Sequence, residues 1–175
     1  MHALVVFESM YGNTHAIAEG IASGIRPAGE VRVVPVAEAT EDLLTWADVV
    51  IVGGPTHIHG MSRSTTRDDA RERASLPEST LDLDAAADGP GVREWLEGMT
   101  DVRGKRAAAF DTRIDMPALL TGRASSGIAS GLRHHGFDLL VKPESFLVDK
   151  QTTLVEGEAK RAEAWGAEIA ARLTV

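Results

Sequence analysis

The chain has 175 residues, 43% of them hydrophobic and 25% charged, and it contains no cysteine. That length supports one full core and predicts a single domain over 1–175; the composition excludes thiol catalysis, Cys-ligated zinc and disulfides and fits a reducing cytoplasm. A formal net charge of −8, from 18 basic and 26 acidic residues, argues against nucleic-acid and anionic-membrane surfaces; it suits a basic protein partner and equally serves solubility.

The apolar run ALVVF at 3–7 reads as a strand buried on both faces. No basic segment precedes it. Runs such as Val49-Val50-Ile51-Val52 are far below the roughly 20 residues that cross a bilayer, so a cytoplasmic protein without membrane insertion is expected. After the polar stretch Ser9-Met10-Tyr11-Gly12-Asn13-Thr14, apolar residues recur every four positions at Ile17, Ile21 and Ile25, one face of a helix. VRVVPV at 31–36 is a second strand. Thr40 to Trp46 is a short helix with Thr40 as N-cap. DVVIVGG at 48–54 is a third strand, and it runs into the loop GPTHIHGMS.

Residues 62–91 break the alternation. They contain RDDARER and then LPESTLDLDAAADGPG, too long and polar for a simple connection. We read a short charged helix followed by an irregular surface loop, a solvated insertion rather than a separate domain. Val92 to Met99 is a further helix before the fourth strand, RAAAF at 106–110. Ile128 and Leu132 mark the next helix, which His134-His135 and Gly136 end, a cation suiting the dipole and glycine stopping the turn. FDLLV at 137–141 and SFLV at 145–148 form a fifth strand interrupted at Pro143, and Ala162, Gly166, Ile169 and Leu173 give a last inward stripe. Trp46, Trp95 and Trp165 fall on helices away from the strand C-termini, and core packing is their expected role.

Five alternations of strand and helix predict a three-layer, doubly wound α/β sandwich around a five-stranded parallel sheet of order 2-1-3-4-5. Periodicity alone does not separate it from the first half of a six-stranded dinucleotide-binding sheet. In such a sheet, ligands bind outside the strand C-termini where the order reverses, beside strands 1 and 3. The first of these tips carries three hydroxyls (Ser9, Tyr11, Thr14), the Asn13 amide and a glycine that permits positive φ, and leads into a helix N-terminus. That set suits a phosphate held by neutral donors and the helix dipole. The alternative is purely structural, with Asn13 or Thr14 capping the helix and Gly12 turning the chain. The Walker GKS/T ending and GxGxxG are both absent. A phospho-receiver domain would need an Asp after strand 3, where Gly53-Gly54-Pro55 stands.

Ser9 to Thr14 resembles the S/T-x-T/Y-G-x-T phosphate loop of flavodoxin-like FMN-binding proteins. Pro55, Thr56, His57, Ile58, His59 and Gly60 resemble the family's G-x-P-T segment along the isoalloxazine ring, and RGKRAAAF at 103–110 its entry to the fourth strand. The resemblance covers essentially the whole chain. It implies FMN as cofactor, with Asp111, Thr112 and Arg113 meeting the flavin's pyrimidine side, no catalytic side chain and no metal site. FDTR together with PESFLV resembles a subgroup of uncharacterised flavodoxin-like proteins.

The chain departs from the family's low-potential carriers. It has one Tyr, in the phosphate loop, and His57-Ile58-His59 stands where Trp-Gly is expected. A peptide flip that bonds N5–H of the one-electron semiquinone is expected to be hindered because β-branched Ile58 resists positive φ. Arg113 at the N1/O2 edge would favour the reduced anion. Both predict little neutral semiquinone and a raised potential. His57 is either a ring contact or proton donor, or plain polarity; His57 and His59 at i and i+2 do not make a metal pair.

The resemblance therefore implies electron transfer with a redox partner protein, a reductase or an acceptor. The alternative is an FMN-dependent NAD(P)H:quinone-type oxidoreductase acting on a quinone-like molecule. A third reading is a module that has lost flavin and serves interactions. The oligomeric state is open at this point.

Overall fold

The computed structural model describes residues 1–173. Strands β1 (His2–Phe7), β2 (Glu30–Pro35), β3 (Val49–His57) and β5 (Arg106–Ile114) lie parallel in the order β2-β1-β3-β5, with β4 (Gly60–Met61) antiparallel to β3. Two short strands, β6 (Asp138–Leu139) and β7 (Glu144–Val148), pair in succession with β5: Arg106 faces Asp138, and Phe110 faces Glu144. Together they occupy the fifth position of the expected order. The break falls over residues 140–143, where Pro143 has no N–H to give the ladder.

Alternation along each strand loads both faces. On one side Ala3, Val5, Phe7 and Ile51 pack under α1 (Asn13–Ile25) and α7 (Glu158–Leu173). On the other, Leu4, Val6, Val50 and Val52 pack under α2 (Glu41–Trp46), α4 (Val92–Glu97) and α6 (Ala124–His134), with the one-turn α5 (Ala118–Thr121) between β5 and α6 in the chain. This double burial is why the strands are apolar throughout. α1 and α7 approach closely because glycine stands at the crossing: a Cβ on Gly166 would lie 2.1 Å from the Ile21 carbonyl oxygen, and one on Gly24 1.9 Å from that of Glu163.

Local signals hold where they were expected. The Thr40 hydroxyl accepts from the Leu43 N–H and caps α2, and Gly136 at φ 85° follows the end of α6. Trp165 sits in the core among Phe110 and Phe146. Trp46 and Trp95 are only half-buried; Trp46 stacks on His2, and the Trp95 indole donates to the Ala39 carbonyl.

The structure corrects two expectations, of surface polarity and of strand length. Residues 62–91 are not simply solvated. They form α3 (Ser64–Ser75) and a segment that braces the first loop, since Asp84 N–H donates to the Met10 carbonyl at 2.8 Å and Ala70 and Ala87 pack on buried Met10. The fourth strand was expected to end at Phe110, yet Asp111, Thr112 and Arg113 also belong to β5, because β3 and β5 stay paired as far as Pro55 and Thr112.

Candidate functional site

Where β1, β3 and β5 end, a cavity of about 300 Å³ opens. From the first loop it is lined by Ser9, Met10, Tyr11, Asn13 and Thr14; from β3 by Pro55, Thr56 and His57; from β5 by Thr112 and Arg113. The expected tips of the first and third strands therefore meet. A larger groove of about 510 Å³, between residues 139–144 and α7, lies away from these tips and carries no comparable set of hydroxyls.

The first loop is built to present donors. Gly12, at φ 89°, is the N-cap of α1, and no side chain caps that helix. The alternative in which Asn13 or Thr14 caps the helix is therefore not met. Both point elsewhere: the Asn13 amide donates to the Thr152 carbonyl at 2.7 Å, and the Thr14 hydroxyl pairs with that of Thr112 at 2.7 Å. Ser9 Oγ accepts the Gly12 N–H at 3.1 Å and fixes the turn. An uncapped first turn leaves its N–H groups and the positive end of the dipole open to an anion. In the Thr14–Thr112 pair one hydroxyl donates to the other, so the accepting one keeps its own O–H for a ligand. Tyr11 is not a free donor, because its hydroxyl donates to the Ala70 carbonyl at 2.8 Å.

The β3 tip turns through Ile58 and His59. Thr56 faces Met61 and His57 faces Gly60, leaving a two-residue hairpin turn in which Ile58 has φ 41° and His59 φ 70°. Positive φ at both central residues is the type I′ geometry that matches strand twist. Ile58 thus already adopts the region it was expected to resist, which removes that reason for a hindered peptide. Ile58, His59 and Gly60 do not line the main cavity. Ile58 and His59 flank a shallower groove beside it, together with Arg113, Met116 and Leu120, and His59 bridges to Gly122.

Asp111 is also off the cavity. It is fully buried; its Oδ2 accepts the Ser125 N–H at 2.7 Å at the start of α6, and Oδ1 has no partner among the described residues. Burial raises its pKa, opposed by the Ser125 N–H and by the hydroxyls of Ser125 and Ser145, which face it without reaching hydrogen-bond geometry. Arg113 lines the cavity, but its Nη1 donates to the Met116 carbonyl at 2.6 Å and to that of Ile114 at 3.3 Å. Its guanidinium ties down the 114–116 turn.

Three contributions escaped the sequence. Arg73 from α3 lines the cavity, as do Ile114 and, from the end of β7 and the turn after it, Val148, Asp149, Lys150 and Thr152. The first loop indeed has no Lys or Arg, yet the cavity is not neutral. Arg73 falls in a stretch read as solvated, and Lys150 in an unmarked turn; no periodicity or motif signals that chain pairing brings them here. His57, half-buried at this cavity, has its pKa lowered by desolvation first and then by Arg67 and Arg73. Behind the cavity Glu8 is buried, with its carboxylate bonded to the Ser62 hydroxyl and to the Val92 N–H at 2.8 Å. Burial raises its pKa, and Arg67, paired with Glu94 at 3.1 Å, offsets part of that.

An open parallel sheet with an anion-ready loop at its switch point defines a doubly wound α/β protein. A family model described as a flavodoxin domain matches residues 4–119, and the chain belongs to that family. A flavodoxin of Aquifex aeolicus (strain VF5) is 42% identical over 57 residues, so the matched segment spans 31% of this chain and 31% of that relative's length. Among solved structures, a flavodoxin from the domain Archaea aligns over 100% of both chains, with a TM-score of 0.67 and 23% identity. Oxidised flavodoxin 1 from Bacillus cereus aligns over 98% of both, with a TM-score of 0.66 and 22% identity. Among the described residues no helix is long and apolar enough to cross a membrane, and no group of three or more His, Asp or Glu side chains is arranged to hold a metal.

Proposed function

We propose that this protein binds FMN and transfers electrons between redox partner proteins in the cytoplasm. One observation carries the reading: the uncapped N-terminus of α1 and the tips of β3 and β5 open into the same cavity. The donor set fits the cofactor. The first-turn N–H groups, Ser9 and the Thr14–Thr112 hydroxyl pair suit a terminal phosphate. Pro55, Thr56 and His57 provide a wall for a planar ring. When bound, FMN supplies the redox chemistry; the chain binds it, orients it and sets the field around it. Family membership and an acidic surface support a basic electron-transfer partner.

The test is titration of FMN and of riboflavin into wild-type protein and Thr14→Ala. We expect tight FMN binding by the wild type. The variant should bind FMN about tenfold more weakly, as for one lost hydrogen bond to a charged group, while its riboflavin affinity stays within about twofold. Equal losses for both ligands would remove the phosphate assignment. Incubating the loaded protein with NADPH and a benzoquinone tests the enzymatic alternative, and electron carriage predicts no turnover without a separate reductase.

A further inference from the structure

α3 carries three arginines at and beyond its second turn, and they are used differently. Arg67 is buried and bonded to Ser62 and Glu94, while Arg71 bonds Asp68, Asp88 and the Ala87 carbonyl. These contacts, with the Tyr11–Ala70 bond, fix where the helix sits. Arg73 makes no hydrogen bond or ion pair among the described residues, and it lines the cavity. Its charge acts on both walls: it opposes the burial-driven rise of the Tyr11 pKa, and it contributes to the lowered pKa of His57. Arg73 shares the cavity lining with Tyr11 of the first loop and His57 of the β3 tip. Arg113, the cation expected to face a ligand, spends its Nη1 on main-chain carbonyls. Lys150 also lines the cavity, two residues from the Thr152 carbonyl that holds Asn13.

We propose that Arg73 is the ligand-facing cation of this site, placed beside the redox ring, and that it selects for the ring form bearing the additional negative charge. This rests on the FMN reading. Two-electron reduction adds two electrons and one proton to the oxidised ring, so the bound cofactor gains one negative charge; the electrons come from an external reductant, dithionite in the test below. A cation at the ring binds the reduced form more tightly than the oxidised one and raises the two-electron potential. A phosphate cradled at α1 keeps its charge throughout, so a cation there shifts both states alike.

The experiment compares wild type, Arg73→Gln and Arg73→Lys in three measurements: FMN affinity in the oxidised state, the two-electron midpoint by dithionite titration against a reference dye, and the His57 titration by NMR in the FMN-free protein. Arg73→Gln should lower the ratio of reduced to oxidised affinity about tenfold, a fall of about 30 mV for a two-electron couple. It should also raise the His57 pKa, and Arg73→Lys should restore most of both effects. Arg73 is exposed, and unchanged circular dichroism will confirm that the variants fold. An unchanged or raised midpoint in Arg73→Gln overturns the proposal while leaving the FMN reading intact. So does an unmoved His57 titration, which would mean that the guanidinium faces away. Failure of the wild type to bind FMN sinks the reading and this proposal with it.

Discussion

Individual side chains at the strand tips answer to two demands, local conformation and the field of the cavity. Ile58 is 81% exposed at φ 41°, so it endures a left-handed backbone with little packing in return. Ile58→Asn, which tolerates that region, should stabilise the fold by about 1 kcal/mol, measured as a higher urea midpoint at unchanged slope; a lower midpoint would mean that the side chain packs. Asp111 shows the second demand. Its folded pKa is raised, so its contribution to stability is fully present below its unfolded pKa and is lost as pH rises through the folded value. Asn keeps the acceptor for Ser125 N–H without the buried charge. Relative to wild type, Asp111→Asn should therefore gain stability as pH is raised from 4 to 8, read by urea unfolding at each pH. His57 runs the other way. Its lowered pKa means that the unfolded chain binds its proton more readily, so acidification below the ordinary histidine range favours unfolding.

Helices and strands set the site by how closely they approach. α1 brings the first loop to the cavity, and its own position depends on the backbone contact with α7 at Gly24 and Gly166. A Cβ on Gly166 would meet a main-chain oxygen at 2.1 Å, which no rotamer change relieves. Gly166→Ala should destabilise the protein by about 2–3 kcal/mol and, by displacing α1, weaken FMN binding as well; denaturant unfolding and FMN titration of the same sample check both. α3 braces rather than decorates. It was legible as a short charged helix from RDDARER, but its role was not, because Ala70 receives the Tyr11 hydroxyl 59 positions away in the chain. The extension of β3 and β5 was hidden for a related reason: Pro55, Thr56 and Asp111 to Arg113 are polar or conformationally restricted, and only pairing with a neighbouring strand makes them extended.

At the scale of the molecule, the charge distribution opposes itself. The chain carries a net −8, while Arg73 and Lys150 line the cavity. A negative exterior attracts a basic partner over distances beyond contact, and salt screens that attraction within about 8 Å at physiological ionic strength. Electron exchange between the reduced, FMN-loaded protein and a basic c-type cytochrome should accordingly slow several-fold as ionic strength rises from about 10 to 150 mM, followed by stopped-flow absorbance. A rate that rises with salt would place the docking surface on the cationic rim instead. Exposed Ile58 and Leu120 lie on this same end of the molecule.

The amino-acid sequence by itself determined the layered architecture and the two loops at the switch point, because double-faced burial, helical period and turn chemistry are all local properties of the chain; the strand order was expected from the motifs in those loops and was decided by pairing between distant segments. It also indicated the broken fifth strand, since Pro143 carries its own signature. Only the tertiary structure decided which residues share the cavity: Arg73 and Lys150 enter from remote segments, Asp111 turns away to α6, Tyr11 is bound to α3, and Arg113 is tied to its own turn. Those outcomes depend on contacts between residues far apart in the chain, and on competition for donors and acceptors that no window of neighbouring residues contains.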